Sequence, residues 1–364
     1  MRATATSRQT SLDGASLIVR ADAGAQAGAG HVMRCLALMQ AWRARGGVPV
    51  LVAADCPSGI VDRVKASADA RIATVSAKAG SFADADETAA IAARFDAAWV
   101  VVDGYGFPPS YVDRLQRAGL RVLLIDDLGE CGRTGADIVL NQNMHASVAL
   151  YRSESESTRR LLGLDYFLLR EEFWPWRGWV REISPKARRI GIVLGGADPA
   201  GQTRRLIHAL DDERFKDIEV DVIAGPANPL LGEIRAAAAA ATMKVTVNAC
   251  VSNMARFLKV VDLLVSTAGV TAWEAAFLST PMVLGTVGPQ EEALAGCLAN
   301  ARGCIHVGPF HLLDDAAFAS QVHALVLDQS ARSALASVCS GLIDGRGAER
   351  VIEVLLRKKV LAPC

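Results

Sequence analysis

From Ser16 onward, short β-branched runs alternate with longer Ala-, Leu- and Arg-rich stretches whose apolar positions recur with helical period. In the first half this pattern predicts strands at Leu17–Arg20, Val48–Ala53, Ile72–Val75, Trp99–Val102, Val122–Ile125 and Ile138–Leu140. Helices fit between most of them, beginning with His31–Arg45. The strand runs are apolar throughout instead of alternating with polar residues. That suits a parallel sheet covered by helices on both faces. The stretch Tyr151–Lys186 breaks the rhythm, with a polar loop at Ser153-Glu154-Ser155-Glu156-Ser157 and three tryptophans within Phe173–Trp179. Packing where the chain crosses between domains explains those tryptophans more simply than a sugar-stacking platform. The alternation then resumes with Ile190–Leu194, Val220–Ala224, Val245–Val247, Leu263–Ser266, Met282–Leu284 and Ile305–Val307. The tract Ala236–Ala241 reads as helix, alanine being the strongest helix former.

The fold class expected is therefore α/β, with two doubly wound parallel-sheet (Rossmann-like) domains facing a cleft. A chain of 364 residues has the length for two such cores. The expected organisation is a disordered tail at 1–15, an N-terminal domain at 16–165, a linker at 166–188 and a C-terminal domain at 189–364. The helical segment near Ala348–Lys359 either caps the second domain or returns to the first.

Composition narrows the function classes. Hydrophobic residues make up 51% and charged residues 21%, and Lys+Arg balances Asp+Glu at 39 each. No global positive field exists for a nucleic-acid backbone or an anionic membrane surface, so an anionic ligand must be held locally. The eight cysteines are scattered and read as reduced thiols. The six histidines lack metal-ligand spacing, so neither a metal nor another cofactor is expected. Without a signal-type segment or a long apolar run, the expectation is a cytoplasmic protein with no integral membrane association.

Ligands of open parallel sheets sit beyond the carboxyl ends of the strands, which directs attention to four loops. The first contains Asp22 and leads through Gly28-Ala29-Gly30-His31 into a helix. Glycines allow close backbone approach, and a helix start offers free N–H groups to phosphate. The dinucleotide pattern is not met, because Met33 stands where its third glycine would be. His31 is the candidate general base, imidazole being the usual one near neutral pH; a helix-start histidine bonded to backbone is the plainer account. The second loop, Asp103-Gly104-Tyr105-Gly106, carries a carboxylate and a phenol, with Asp103 also readable as a turn former. The third, Gly195-Gly196-Ala197-Asp198-Pro199, repeats the strand–turn–helix arrangement in the second half. In the fourth, Gly269, Val270 and Thr271 open a helix carrying Glu274. Amides near Gly269 suit a diphosphate, and Glu274 suits ribose hydroxyls or simply the helix dipole.

Together these loops resemble the UDP-2,4-diacetamido-2,4,6-trideoxy-β-L-altropyranose hydrolases of pseudaminic acid biosynthesis. The likeness is carried by Asp22, Gly28–Leu38, Asp103–Gly106, Ile125–Leu128, Asn141–Asn143, Leu162-Gly163, Leu169-Arg170, Gly195–Pro199 and Gly269–Glu274, and so covers most of Val19–Gly303. It implies a fold of the glycosyltransferase-B (GT-B) type, similar to the N-acetylglucosaminyltransferase that makes lipid II. The implied partner is a UDP-sugar, held mainly by the second domain. The implied reaction is attack of water on the anomeric carbon with inversion and loss of UDP. By this likeness His31 is the base, Tyr105 lies near the sugar and Glu274 binds ribose. The candidate substrate-binding set is Asp22, Gly28, Gly30, Arg34, Tyr105, Gly196, Asp198, Gly269, Val270, Thr271, Glu274 and Gln290. Departures occur at Gly104, where the family commonly has His, at Val270, where it has Ser, and at Ala268-Gly269, where it has Gly-Gly. Two alternatives use the same fold: an inverting glycosyltransferase with a UDP-sugar donor, and a catalytically silent nucleotide-sugar binding protein.

Overall fold

The computed structural model describes residues 12–24, 28–129, 133–196, 198, 200–225, 228–249 and 251–357. The expected disordered tail lies outside the described residues up to residue 11. Leu12, also assigned to that tail, is buried instead, and its N–H donates to the carbonyl of Arg45 at 3.0 Å.

The first sheet comprises β1 (Ser16–Ala21), β2 (Val48–Ala53), β3 (Arg71–Thr74), β4 (Trp99–Asp103), β5 (Arg121–Ile125), β6 (Ile138–Asn141) and β7 (Arg159–Leu162). Their order is β3-β2-β1-β4-β5-β6-β7, and every pairing is parallel. Helices α1 (Gly30–Ala44), α2 (Ser58–Ala68), α3 (Phe82–Arg94) and α4 (Pro109–Arg117) fill the four crossovers from β1 to β5. The second sheet comprises β8 (Arg189–Val193), β9 (Glu219–Ile223), β10 (Lys244–Asn248), β11 (Leu263–Thr267), β12 (Met282–Thr286) and β13 (Ile305–Pro309), ordered β10-β9-β8-β11-β12-β13 and again parallel. Its helices are α5 (Gln202–Leu210), α6 (Leu231–Ala240), α7 (Met254–Val260), α8 (Val270–Phe277), α9 (Glu292–Asn300), α10 (Asp315–Leu327) and α11 (Gln329–Cys339), with α12 (Gly347–Leu356) last. In both sheets the strand order reverses beside the first strand, and that reversal opens a crevice at the carboxyl ends.

The continuous apolar runs follow from burial on both faces. Leu17, Val19, Val101 and Leu123 join α1 in one core cluster, while their neighbours Ile18, Val100, Val102 and Val122 join α4 residues in another. Helix α12 returns to the first domain, where Val351, Ile352 and Leu355 share the α1 core. Helix α1 is consequently buried almost throughout from His31 to Trp42. Its polar residues must then find partners inside the protein. Gln40 does so by accepting the N–H of Glu171 at 2.8 Å, and Arg34 does so at the site described next.

Strand β7 was not anticipated by the hydrophobic pattern. It is a short edge strand whose Arg159 and Arg160 interrupt any apolar run, and only pairing with β6 defines it. The second domain has a close backbone approach near its first strand. A Cβ at Gly225 would fall 2.4 Å from the carbonyl oxygen of Gly196, so the turns after β8 and β9 touch only because residue 225 is glycine.

Candidate active site

Asp103, the last residue of β4, is fully buried, with its carboxylate directed at the first turns of α1. Oδ1 lies 2.8 Å from His31 Nδ1 and accepts from Arg34 Nη2 at 2.5 Å, and Oδ2 accepts from Arg34 Nε at 2.6 Å. The thiol of Cys35 adds a weak bond to Oδ2 at 3.4 Å. Burial opposes ionisation of Asp103, but the Arg34 guanidinium and His31 outweigh it and hold the carboxyl well below the usual carboxylate range. An ionised Asp103 can only accept, so in the neutral imidazole of His31 the ring proton is placed on Nδ1 and the lone pair is left on Nε2. The 3.3 Å approach of Arg34 Nη2 to Nδ1 is then a contact between two donors held by one carboxylate.

The spacing of these residues has a simple origin. His31 and Arg34 are three apart on α1 and so share the helix face over the end of β4. Arg34 also donates from Nη1 to Asp127 Oδ2 at 2.6 Å, which ties the loop after β5 to the dyad. Asp127 Oδ1 accepts from Asn143 Nδ2 at 2.7 Å. Asn143 Oδ1 in turn lies 3.3 Å from Trp273 Nε1 on α8, a hydrogen bond between the domains. His145 Nε2 lies 3.0 Å from the carbonyl of Asp127. Tyr105 stands edge-on to the His31 ring, with centroids 5.0 Å apart. Gly104, just before it, has φ +145°, a conformation favouring glycine, and a Cβ there would meet Phe107 at 3.0 Å. A histidine at this position, as in the resembled family, would need a different turn.

A cavity of about 250 Å³ lies between the domains. Its first-domain wall includes Gly30, His31, Arg34 and Tyr105, and its second-domain wall includes Gly269 and Val270. Six predicted site residues thus meet in one place. Asp127, Gln142, Asn143, His145 and Glu291 also line it. The hydrophobic pattern marks none of these five, though the first three fall in segments that match the family motifs. Glu291 accepts the N–H of Val287 at 2.8 Å, and burial raises its carboxyl above the ordinary range.

Among the described residues, five other candidates stand away from this cavity wall, and Thr271 on α8 is half-buried outside it. Asp22 accepts from Arg20 Nη1 at 2.7 Å and from the N–H of Ala54 at 2.7 Å, pinning the loop after β1. Gly28 exchanges two backbone hydrogen bonds with Gly24. Gly196 is engaged by Gly225. Asp198 accepts the N–H groups of Gln202 at 3.0 Å and Thr203 at 2.7 Å, capping α5. Glu274 is 2% exposed, and its Oε1 lies 2.8 Å from Arg170 Nη1. Arg170 also pairs with Glu172, which takes Arg63 of α2 at 3.1 Å. Glu274 therefore belongs to a buried ion network joining α2, the inter-domain segment and α8. The side chain of Gln290 lies outside the described residues. Among the described residues no group of three or more His, Cys, Asp or Glu side chains is disposed to hold a metal ion, and no helix is long and apolar enough to cross a membrane.

No family model matches the chain. The uncharacterized protein MJ1062 of Methanocaldococcus jannaschii is 25% identical over 191 residues, 51% of this chain and 39% of that protein. The spore coat polysaccharide biosynthesis protein SpsG of Bacillus subtilis is 24% identical over 200 residues, 55% of this chain and 58% of that protein. The matched stretch thus spans less than two thirds of each relative. Among solved structures, Acinetobacter baumannii MurG superposes with a TM-score of 0.64 at 16% identity, covering 93% of this chain and 98% of that one. The S. aureus MnaA–UDP structure gives 0.66 at 12% identity, covering 94% and 96%. The spinosyn rhamnosyltransferase SpnG complexed with thymidine diphosphate gives 0.60 at 16% identity, covering 94% and 100%. At these identities the likeness speaks for the fold alone, and the chain has two parallel-sheet α/β domains of the GT-B type.

Proposed function

We propose that this protein is an enzyme acting on a nucleotide sugar, and that it hydrolyses a UDP-activated sugar at the anomeric carbon. The observation that carries this reading is the buried Asp103–His31 pair facing the start of α8 across the inter-domain cavity. Asp103 holds the imidazole so that Nε2 is the accepting atom, and His31 then takes a proton from water as the water oxygen bonds to the anomeric carbon. The bond from that carbon to the diphosphate oxygen breaks on the opposite face, giving inversion. UDP leaves as an anion toward Val270 and Thr271, whose amides at the helix start have no partner within the helix. Fixed amide dipoles suit a developing phosphate charge, and a positioned base contributes about 10²- to 10⁴-fold.

Nucleotides in two of the similar structures, UDP with MnaA and thymidine diphosphate with SpnG, support a nucleotide-binding cleft here. The polysaccharide role in the name of SpsG fits sugar chemistry. The resemblance in the loops adds a diacetamido-trideoxy sugar as the substrate class. In this reading Gly30, Arg34, Tyr105, Gly269 and Val270 form the site wall, whereas Asp22, Gly28, Gly196 and Asp198 shape the loops behind it.

The test is a panel of UDP- and CMP-sugars offered without any acceptor, with nucleotide and free sugar both quantified. The expected result is equimolar UDP and free sugar from one member. His31→Ala should fold and bind UDP while losing at least 10²-fold in turnover. Near-normal UDP release by that variant would overturn the mechanism.

A further inference from the structure

Trp273 of α8 is buried, and its indole N–H donates to Asn143 Oδ1 at 3.3 Å. An indole can only donate, so this contact orients the Asn143 amide with its oxygen toward α8 and its NH₂ group toward the first domain. The NH₂ group donates to Asp127 Oδ1 at 2.7 Å and to Asn141 Oδ1 at 3.1 Å. Asp127 Oδ2 in turn accepts from Arg34 Nη1 at 2.6 Å. Arg34 Nε and Nη2 hold the two oxygens of Asp103, and Asp103 Oδ1 holds His31 Nδ1. An unbroken line of hydrogen bonds therefore runs from a helix of the second domain to the base in the first.

The guanidinium of Arg34 is planar and rigid, so a rotation that follows Asp127 tilts both of its bonds to Asp103. The backbone of Asp127 is pinned separately, because its carbonyl accepts from Asn141 Nδ2 and lies 3.0 Å from His145 Nε2. Its carboxylate is oriented by Arg34 and Asn143. At the other end of the line, Val270 precedes Trp273 by three positions and shares its face of α8, and both line the inter-domain cavity. Resting on the reading that UDP is held at the start of α8, we propose that Trp273 and Asn143 are positioning residues. They tie the alignment of Asp103 and His31 to the placement of α8, so that a nucleotide seated on that helix sets the base on the other side of the cleft.

The test uses Trp273→Phe, which keeps an aromatic ring and removes the N–H, and Asn143→Ala, which removes both neighbouring bonds. UDP should shift the His31 ring ¹⁵N resonances in the wild type. More than half of that shift should vanish in each variant, although UDP affinity by calorimetry stays within about threefold. Even without UDP the ring resonances of both variants should differ from those of the wild type. With whichever UDP-sugar is turned over, Trp273→Phe should lose about three- to tenfold in kcat at nearly constant KM, the effect of one neutral hydrogen bond. Adding Trp273→Phe to Asn143→Ala should lower kcat no further than Asn143→Ala alone, because the indole acts through that amide.

A UDP-induced shift of equal size in all three proteins would mean that UDP acts on the ring directly, and overturns the proposal. So does a bound UDP that leaves the wild-type ring unshifted, or a loss of UDP affinity beyond tenfold, which would place these residues in the nucleotide pocket. Additive losses of kcat in the double variant also overturn it. If the wild type binds no UDP, the nucleotide reading fails instead. The ring resonances without ligand then decide the positioning role, altered signals in the variants sustaining it and unaltered signals overturning it.

Discussion

Replacing Asp103 by Asn tests the centre of the site while keeping its shape. The carboxylate accepts from Arg34 twice and from His31 once, with no exposure to solvent. An amide has only one accepting oxygen, so in either orientation its NH₂ group faces a donor of Arg34 and one of those two bonds is lost. Hydrogen bonds to charged groups contribute about 1.5–3 kcal/mol each. A buried charge left wholly unpaired costs about 3–5 kcal/mol. Arg34 keeps Asp127 as a partner at 2.6 Å, so the expected loss of stability is about 2–3 kcal/mol, below that limit. The catalytic loss has two sources. With NH₂ in the Oδ1 position, the amide donates to Nδ1 and moves the ring proton to Nε2, which removes the base. In either orientation no negative charge remains to offset the imidazolium formed during proton transfer. Turnover should fall about 10²- to 10⁴-fold, by analogy with the loss of the orienting carboxylate in a catalytic triad. The assay combines UDP release, urea unfolding and ¹⁵N NMR of the His31 ring, the last reporting the tautomer directly. A folded Asp103→Asn protein that turns over within threefold of the wild type would refute the role given to this carboxylate.

Other expectations follow from single contacts. Burial pushes Glu274 from its ordinary 4.5 up to about 7 against the pull of Arg170, whose guanidinium is divided between Glu274 and Glu172. The folded state then holds more protons than the unfolded between pH 4.5 and 7, so this group lowers stability as pH rises through that window, by about 3 kcal/mol. Urea unfolding at pH 5.0 and 7.5 should show a flatter pH dependence in Glu274→Gln, and an unchanged dependence would count against the assignment. Asp198→Ala removes the acceptor for two N–H groups of α5 and should cost about 1–2 kcal/mol, with UDP affinity by calorimetry changed less than threefold. A larger loss of affinity would show that Asp198 contacts the ligand as well as capping α5. Ile352→Ala, in the fully buried contact of α12 with the first domain, should cost about 2–5 kcal/mol; a change under 0.5 kcal/mol would mean that α12 contributes little to that core.

The alternation of apolar runs and amphipathic stretches was sufficient to define two doubly wound domains, because strands buried on both faces leave a signal that depends on local order alone. The same holds for the loop carrying His31, where glycines and a helix start stand together in the chain. Three-dimensional placement decided the rest. Strand β7 exists through its pairing with β6, and α12 returned to the first domain because α1 offered an apolar face there. Asp103 became the partner of His31 across 72 positions, a separation at which sequence leaves a turn-forming aspartate and an orienting carboxylate indistinguishable. Glu274 and Asp198 are candidates by residue type and helix-start position, and the structure adds their partners, Arg170 for Glu274 and the amides of α5 for Asp198. A local pattern specifies which groups are available, but the partner of a buried charge is set by the packing that removes it from water.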